Sequence, residues 1–319
     1  MKIQSLSLFP REFLLKNGKK RSIILIKIID ESGDEAWGEI APLPFFSKET
    51  IEECFIQLNK VHGEIIKKEW FAETCLEELS SLELFPSVSF GLESALLSIL
   101  LPISSARVCT SALLMGTYQE IIEQANQRHR EGYTSAKLKV SNLDFKEAAD
   151  LIYCLKDVFY LRIDVNRAWS TADSLHFFSQ FPLNTFDYVE EPFQNSYDLE
   201  LFKHPLAIDE SFPSELSLSH LNLLPTLKAL VYKPTIQGGM ANCLYLHEWT
   251  IRKKISLVLS SSFESNLGLS CIAQMANRLS CSAPIGIGTY HYLAKNKNEI
   301  PLKFTGPYLY VKEKFRPVL

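Results

Sequence analysis

The amino-acid sequence predicts an α/β protein in which a (β/α) barrel of the TIM type follows an N-terminal α+β capping domain. Two observations support this prediction. From about residue 106 onward, short apolar runs alternate with polar segments of helical spacing, whereas the residues before that point lack the alternation. We expect a capping domain at 1–105, a barrel at 106–288, and a C-terminal segment at 289–319 that returns to the capping domain and completes it.

The N-terminal part reads as two strands followed by two helices. The strand-like runs are SIILIKIID and AWGEIAPL, which the polar turn ESGDE joins. The segment SKETIEECFIQLNKVHG has helical spacing and begins at Ser47, whose hydroxyl is suited to cap a helix. A second helix is predicted for SVSFGLESALLSIL. Together these elements predict an α+β unit.

Eight apolar runs predict the strands of the barrel. Parallel strands that alternate with helices are typical of a closed (β/α) barrel, and two intervening segments, YQEIIEQANQRHREG and NLDFKEAADLIYCLKD, have helical spacing. The tail after the last run lacks a helical period, so we expect it to pack on the N-terminal unit. The predicted strands are TSALL 110–114, AKLKV 136–140, YLRIDV 160–165, FDYVE 186–190, LAID 206–209, KALVY 228–232, SLVLS 256–260 and APIGI 283–287.

Composition and charge argue against several classes of function. The chain has 319 residues, of which 22% are charged, and a net charge of −4 without a run of like charges, so we expect no nucleic-acid partner. Because no apolar run reaches the length of a membrane span and the N-terminus lacks a signal-peptide core, we expect a cytoplasmic protein without a membrane partner. The seven cysteines form no CxxC pair, which argues against a zinc site.

Charged residues stand at the ends of five consecutive predicted strands. They are Lys139, Asp164, Glu190, Asp209 and Lys233. Because the carboxyl ends of barrel strands meet at one mouth, we expect these side chains to share a pocket. Three carboxylates repel one another unless a cation lies between them, and Mg²⁺ prefers oxygen ligands. The pattern predicts a Mg²⁺ site with a lysine on either side, although a solvated strand end explains any one of these charges taken alone.

Two lysines in YTSAKLKVSN, Lys137 and Lys139, lie two positions apart and therefore on the same face of a strand. Adjacent ammonium groups repel each other, so the pair would lower the stability of the fold. They suit catalysis, because a neighbouring cation disfavours the protonated form of a lysine that must act as a base. The alternative is a strand end whose lysines extend into solvent. By the same alternation, Arg162 is expected to point inward beside Lys137.

The ordered motifs resemble those of the enolase superfamily, within it the muconate-lactonizing subgroup, and most closely the o-succinylbenzoate synthases of menaquinone biosynthesis. The resemblance covers nearly the whole chain. Its motifs are WGEIAPLPFFSKET, PSVSFGLESAL, AKLKV, LRIDVNRAW, VEEP, AIDES, YKPT and SSSFESNLGL.

The resemblance implies a carbon–oxygen lyase that uses Mg²⁺, with Mn²⁺ as a possible substitute, and a small carboxylate substrate. The reaction it implies converts 2-succinyl-6-hydroxy-2,4-cyclohexadiene-1-carboxylate into o-succinylbenzoate and water. Asp164, Glu190 and Asp209 would bind the metal. Lys139 would be the general base and Lys233 would face it across the substrate.

Further residues are candidates for binding the substrate or supporting the site: Lys137, Arg162, Asn166, Ser261 and Ser262. Three neighbours of the inward-facing residues, Arg167, Glu191 and Glu210, are expected to face away, because adjacent strand residues point to opposite faces.

Three positions depart from the family pattern and leave the substrate less defined than the reaction. Phe45 stands where the family has glycine, Asn266 where it has serine, and Gly288 where an acidic residue is common. One alternative is an N-succinylamino acid racemase or a related epimerase, which also needs Lys139 and Lys233, one on each face of the substrate. A second alternative, a non-catalytic barrel that serves as a binding scaffold, fits less well with retention of all three carboxylates and both lysines.

Overall fold

An antiparallel sheet and three helices form the N-terminal part of the computed structural model, which describes residues 1–103, 105–294 and 301–312. The sheet order is β1-β2-β3. The elements are β1 (Ile3–Leu14), β2 (Lys20–Asp30), β3 (Glu35–Ile40), α1 (Ile51–Lys67), α2 (Cys75–Ser80) and α3 (Pro86–Leu100). The two strands and two helices expected from the sequence are present, and β1 and α2 are additional.

Helix α1 begins three residues later than predicted. Its N-cap is Thr50, which accepts a hydrogen bond from the amide of Glu53, while the Glu53 carboxylate accepts one from the Thr50 amide. The predicted cap, Ser47, instead accepts a hydrogen bond from the amide of Leu43 at 2.9 Å. The Ser47 hydroxyl therefore closes the preceding loop, and the reciprocal capping box fixes the start of the helix.

A seven-stranded parallel sheet follows, with its strands in chain order from β5 to β11. The predicted α/β fold with a TIM-type barrel is confirmed. After β4 (Ser105–Cys109), the barrel strands are β5 (Ala112–Leu114), β6 (Ser135–Lys139), β7 (Tyr160–Asp164), β8 (Tyr188–Glu190), β9 (Leu206–Ile208), β10 (Leu227–Tyr232) and β11 (Ser256–Leu259). The helices that alternate with them are α4 (Tyr118–Arg130), α5 (Phe145–Leu155), α6 (Thr171–Phe178), α7 (Leu218–Leu221), α8 (Pro234–Gln237), α9 (Met240–Lys253) and α10 (Asn266–Arg278).

The eighth predicted strand closes the barrel through two isolated parallel bridges. Ile285 pairs with Thr110 and Gly286 pairs with Ser260, which lie at opposite edges of the seven-stranded sheet. The Gly286 amide donates to the carbonyl of Leu259 at 2.8 Å. The segment at 283–287 thus occupies the eighth strand position but is too short to form a regular strand.

The described residues of the C-terminal segment make two kinds of contact. Near its start, Tyr292 and Ala294 exchange backbone hydrogen bonds with the end of β1, at Lys16 and Leu14. The hairpin of β12 (Lys303–Thr305) and β13 (Tyr308–Lys312) pairs with β4 rather than with the N-terminal sheet. Parts of the predicted C-terminal segment, 295–300 and 313–319, lie outside the described residues. Across the described ranges, no helix has both the length and the apolar character that crossing a bilayer requires.

Candidate active site

One cavity opens at the carboxyl ends of the barrel strands, beneath a loop of the N-terminal part. The cap loop, residues 41–46, contributes Leu43 and Phe46, and the serine wall, residues 260–263, follows β11. Between them the barrel contributes its charged side chains: Lys137, Lys139, Arg162, Asn166, Glu190, Glu210 and Lys233. The cavity therefore combines charged groups from the barrel with an apolar cover.

Strand register places the charges at two levels. Lys139 is paired with Asp164, and Asp164 with Glu190, so these three lie at the same height. Lys137 is paired with Arg162 one level deeper. Because alternate residues of each strand face inward, all five side chains reach the barrel interior, as the sequence predicted.

The two lysines of β6 are held differently. The Nζ of Lys137 lies 2.8 Å from Asp164 Oδ2 and 2.6 Å from Glu190 Oε1. Burial would lower the pKa of Lys137, but the charges of Asp164, Glu190 and Asp209 outweigh burial and hold that pKa well above its usual value. Lys137 is thus a fixed cation at the centre of the carboxylates.

Lys139 is less enclosed, with 33% of its side chain exposed. Its Nζ lies 3.4 Å from Asp164 Oδ2 and donates to Asn166 Oδ1 at 3.0 Å. Asn166 has a left-handed backbone with φ of 49°, and its amide donates to Asp164 Oδ1 at 3.0 Å. Asn166 therefore bridges the lysine and the carboxylate, which leaves the ammonium of Lys139 directed into the cavity.

Lys233 follows β10 and forms an ion pair with Asp209. Its backbone amide donates to Gln237 Oε1 at 2.8 Å within the turn that begins α8. Burial would lower the pKa of Lys233, but the charges of Asp209, Glu190 and Glu210 together outweigh burial and raise that pKa. Lys233 is therefore a second cation, just past the end of β10, which lies four positions along the sheet from the strand of Lys137 and Lys139.

Three carboxylates converge closely enough to share a cation. One oxygen from each of Glu190, Asp209 and Glu210 lies within 4.8 Å of the others. The Oε2 atoms of Glu190 and Glu210 are buried and have no hydrogen-bond partner among the residues that the structure describes. Burial and the nearby charge of Asp164 raise the pKa of Glu190 well above its usual value. Unpaired buried oxygens of an all-carboxylate set fit a hard divalent cation.

Two features of this cluster differ from the sequence expectation. Glu210 was expected to face away from the cavity, which is wrong, because Glu210 lines it. The reason is that β9 ends at Ile208, so strand alternation no longer applies to the two residues that follow. Asp164 is also outside the three-carboxylate set, since both lysines of β6 lie against it. Burial would raise the pKa of Asp164, but these lysines lower it to about 2.

The other two excluded residues do face away. Glu191 has a left-handed φ of 46°, and its Oε1 accepts from the amides of Asp209 and Ser211 at 2.8 and 3.0 Å. It also accepts from the Ser211 hydroxyl at 2.6 Å. Arg167 pairs with Glu215 at 2.7 Å outside the cavity. Glu191 thus orients the loop that contains Asp209 and Glu210.

Arg162 lies in the floor of the cavity with its guanidinium already occupied. The Nε donates to Asp187 at 2.9 Å, one NH group donates to the Pro284 carbonyl at 2.9 Å, and the group lies over the Tyr188 ring. These contacts indicate that Arg162 stabilises the base of the cavity, a role that is compatible with its predicted role in binding a substrate anion.

The serine wall contains the two predicted hydroxyls. Ser261 shares a hydrogen bond of 2.6 Å with Thr289 and donates to the Gly286 carbonyl at 3.0 Å. Ser262 is 2% exposed, and within the described part of the chain its Oγ has no hydrogen-bond partner. The prediction missed Thr289, Ser260 and Phe46, which also line the cavity. Ser260 stands in the run SSSF and Phe46 in the run FF of the cap loop, so the sequence motifs could have indicated these two.

The three departures from the family pattern occupy different places. Phe45 is fully exposed beside the cavity with a left-handed φ of 72°, a conformation that favours glycine. Asn266 is buried at the start of α10. Gly288 lines the cavity against Leu113, and a Cβ atom at Gly288 would lie 2.5 Å from the Leu113 Cβ. A larger residue at 288 would therefore displace this wall.

Comparisons with known proteins agree with this architecture. The family profile described as "MenC, N-terminal domain" matches residues 13–99, and the profile described as "Enolase C-terminal domain-like" matches residues 120–315. An o-succinylbenzoate synthase from Pasteurella multocida (strain Pm70) is 30% identical over 296 residues, which cover 87% of this chain and 85% of that protein.

Two solved structures share the fold. MenC from Desulfotalea psychrophila LSv54 has a TM-score of 0.80 and 22% identity, covering 97% of this chain and 99% of the other. The dipeptide epimerase from Methylococcus capsulatus, complexed with Mg and the dipeptide L-Arg-D-Lys, has a TM-score of 0.81 and 19% identity, covering 100% and 99%. From the profile matches and the Pasteurella relative, the chain belongs to the o-succinylbenzoate synthase family of the enolase superfamily.

Proposed function

We propose that the protein is an o-succinylbenzoate synthase, a lyase that dehydrates 2-succinyl-6-hydroxy-2,4-cyclohexadiene-1-carboxylate to o-succinylbenzoate. The observation that supports this most directly is the placement of lysines on both sides of a carboxylate cluster. Lys139 and Lys233 both line the cavity, and each contacts a different carboxylate, Asp164 or Asp209. Family membership, with relatives that are o-succinylbenzoate synthases, supports this choice of substrate.

Asp164, Glu190 and Asp209 would hold Mg²⁺, and the unpaired oxygens of Glu190 and Glu210 support a cation there. The Mg-bound epimerase of the same fold is consistent with this choice of metal. When bound, the metal supplies Lewis acidity toward the substrate carboxylate. Mn²⁺ would be a substitute with the same preference for oxygen ligands.

Lys139, in its neutral amine form, would take the proton from the carbon next to the substrate carboxylate, because its Nζ reaches the cavity and its partner Asn166 holds it in place. The C–H bond breaks, the electron pair forms the ring double bond, and the C–O bond to the hydroxyl breaks. Lys139 then returns the proton to the departing hydroxyl, which leaves as water. Lys233 would keep its charge and stabilise the negative charge that develops on the substrate.

The direct test is turnover of the cyclohexadiene substrate, followed by loss of its ultraviolet absorbance. We expect turnover with Mg²⁺ and its loss after chelation, with recovery when Mg²⁺ is returned. A purified, folded protein that binds Mg²⁺ but leaves the substrate unchanged would reject the proposal.

An N-succinylamino acid racemase is the second candidate, and the same pair of lysines favours it. In a racemase Lys233 must itself move a proton, whereas in the dehydration it needs only its charge. Arginine keeps the charge but does not act as a base near neutral pH. Lys233→Arg should therefore retain measurable dehydration and lose any racemisation, with both assayed on one preparation in deuterated buffer. Racemisation of N-succinylamino acids by the unmutated protein, without dehydration, would make the racemase the correct assignment.

A further inference from the structure

Arg21, Glu39 and Glu264 form a buried charged cluster between the N-terminal sheet and the barrel, outside the cavity lining. Arg21 is 4% exposed, and both carboxylates are fully buried. Buried charges are costly unless each is paired and hydrogen-bonded. Each member of this cluster makes such bonds, and the bonds reach the backbone of segments that line the cavity.

Arg21, on β2, joins the cap loop to the serine wall. Its two NH groups donate to the carbonyl oxygens of Pro42 and Ala41 at 2.8 and 2.9 Å. Its Nε donates to the Phe263 carbonyl at 3.3 Å, and an NH group approaches the Ser262 carbonyl at 3.4 Å. One guanidinium group therefore binds four carbonyl oxygens, two from each side of the cavity.

Glu264 continues this connection to the segment after β10, which begins with Lys233. Its Oε1 accepts from the Thr235 hydroxyl at 2.6 Å, and its Oε2 accepts from the Ser262 amide at 2.6 Å. Thr235 lies two residues after Lys233, in the first turn of α8. The same carboxylate thus fixes the serine wall and the segment after Lys233.

Glu39, on β3, holds the next part of the barrel. Its carboxylate accepts from the amide of Ser265 at 2.9 Å, from the Ser265 hydroxyl, and from the amide of Gly268 at 3.3 Å. These groups form the start of α10, directly after the serine wall. Burial lowers the pKa of Arg21, and the charges of Glu264 and Glu39 offset part of that effect.

We propose that Arg21 is a positioning residue for substrate binding, because it sets the separation of the cap loop from the serine wall. Arg21 does so from outside the cavity, through the carbonyl oxygens that it binds, and Glu264 shares one of these attachments because it binds the Ser262 amide. The proposal rests on the proposed function, since it takes the cavity to be the site where the carboxylate substrate binds.

The test compares Arg21→Met with Arg278→Met. Arg278 is a matched control, because its guanidinium also donates to two carbonyl oxygens of the N-terminal part, those of Leu97 and Leu101, but lies away from the cavity. We expect Arg21→Met to raise KM about tenfold with kcat changed much less, since loss of net hydrogen bonds of ordinary strength gives a factor of this size. Arg278→Met should lower the melting temperature and leave KM unchanged.

Arg21→Lys and Glu264→Gln are measured as well, so that the test does not depend on the folding of Arg21→Met. Arg21→Lys keeps the charge and should raise KM less than Arg21→Met does. The double variant Arg21→Lys/Glu264→Gln should raise KM by a factor smaller than the product of the two single-variant factors, because both residues act through one connection. An unchanged KM in folded variants of Arg21 would overturn the proposal.

A second readout does not depend on the substrate. Amide hydrogen exchange at 41–46 and 260–263 should become faster in Arg21→Met and stay unchanged in Arg278→Met. If the unmutated protein fails to convert the cyclohexadiene, the function assigned above is wrong, but this exchange pattern would still support the connection through Arg21. Exchange that does not change at either segment would overturn it.

Discussion

The two lysines of β6 share a strand face but have different electrostatic surroundings. Lys137 contacts two carboxylates at 2.8 and 2.6 Å, which stabilise its ammonium form. Lys139 has one carboxylate at 3.4 Å and one amide oxygen, and it is the more exposed of the two. A base must lose its proton in part of the cycle, so these surroundings favour Lys139 as the base and Lys137 as a permanent cation.

Lys139→Ala should therefore reduce dehydration by a factor on the order of 10² or more, because it removes the general base. The fold and the affinity for Mg²⁺ should persist, as measured by circular dichroism and titration calorimetry. The control is Lys228→Ala, which removes an exposed lysine at the start of β10. Near-normal turnover by folded Lys139→Ala would remove this residue from the mechanism.

The carboxylates lead to a prediction about the metal. Asp164→Asn, Glu190→Gln and Asp209→Asn should each weaken the affinity for Mg²⁺, because each removes one anionic ligand for a hard cation. Glu210→Gln should also weaken it, since a Glu210 oxygen lies within 4.8 Å of the Glu190 and Asp209 oxygens. Titration calorimetry provides the measurement.

Glu215→Gln is the matched control for these variants, because Glu215 is an acidic residue paired with Arg167 away from the cavity. Unchanged Mg²⁺ affinity in all three predicted ligand variants would show that the metal binds elsewhere. A loss confined to Glu210→Gln and its two close neighbours would assign Asp164 to the lysines instead of the metal.

At the scale of elements, regular alternation predicted the barrel and the inward residues of β6 and β7 correctly. Prediction failed where a strand ended. Strand β9 stops at Ile208, so the side chain of Glu210 enters the cavity although strand alternation directs it outward. Strand β1 was missed because Pro10 interrupts its apolar pattern, yet an edge strand tolerates proline. Contacts between distant segments, such as the bonds of Arg21, have no local pattern to reveal them.

The loop after β9 gives a prediction of its own. Glu191 accepts hydrogen bonds from the amides of Asp209 and Ser211 and from the Ser211 hydroxyl. Glu191→Ala removes these acceptors, and it should weaken Mg²⁺ affinity by about 10- to 100-fold, the usual effect of losing a group that orients metal ligands. Glu191→Gln keeps an acceptor oxygen and should retain more of the affinity.

Calorimetric titration of both Glu191 variants is compared with Glu200→Ala, a control that removes an exposed carboxylate nearby in the chain. Equal affinity in Glu191→Ala and the unmutated protein would mean that the loop holds its shape without this carboxylate.

At the scale of the whole molecule, the N-terminal sheet and the barrel meet through buried polar groups as well as apolar ones. Glu39 crosses that boundary, reaching from β3 to the start of α10. Burial raises the pKa of Glu39 to about 7, since its hydrogen bonds with Ser265 offset only part of the cost of burying the charge. The stability that this interface gives the protein should therefore depend on pH.

The sign follows from comparing the folded and unfolded states. The ordinary pKa of a glutamate is 4.5, so between about pH 4.5 and 7 the folded protein keeps a proton on Glu39 that the unfolded chain has lost. Stability therefore falls as pH rises through that range and then levels off, by at most about 3 kcal/mol for this group. Glu39→Gln mimics the protonated carboxyl and removes this dependence.

Urea unfolding of both proteins at pH 5 and pH 8 should show the variant gaining stability relative to the unmutated protein at the higher pH. Glu12→Gln, at an exposed position on β1, is the control and should follow the unmutated protein at both values. Parallel unfolding free energies for Glu39→Gln and the unmutated protein across this range would show that Glu39 stays ionised in the folded protein, with the Ser265 and Gly268 bonds and Arg21 compensating its burial in full.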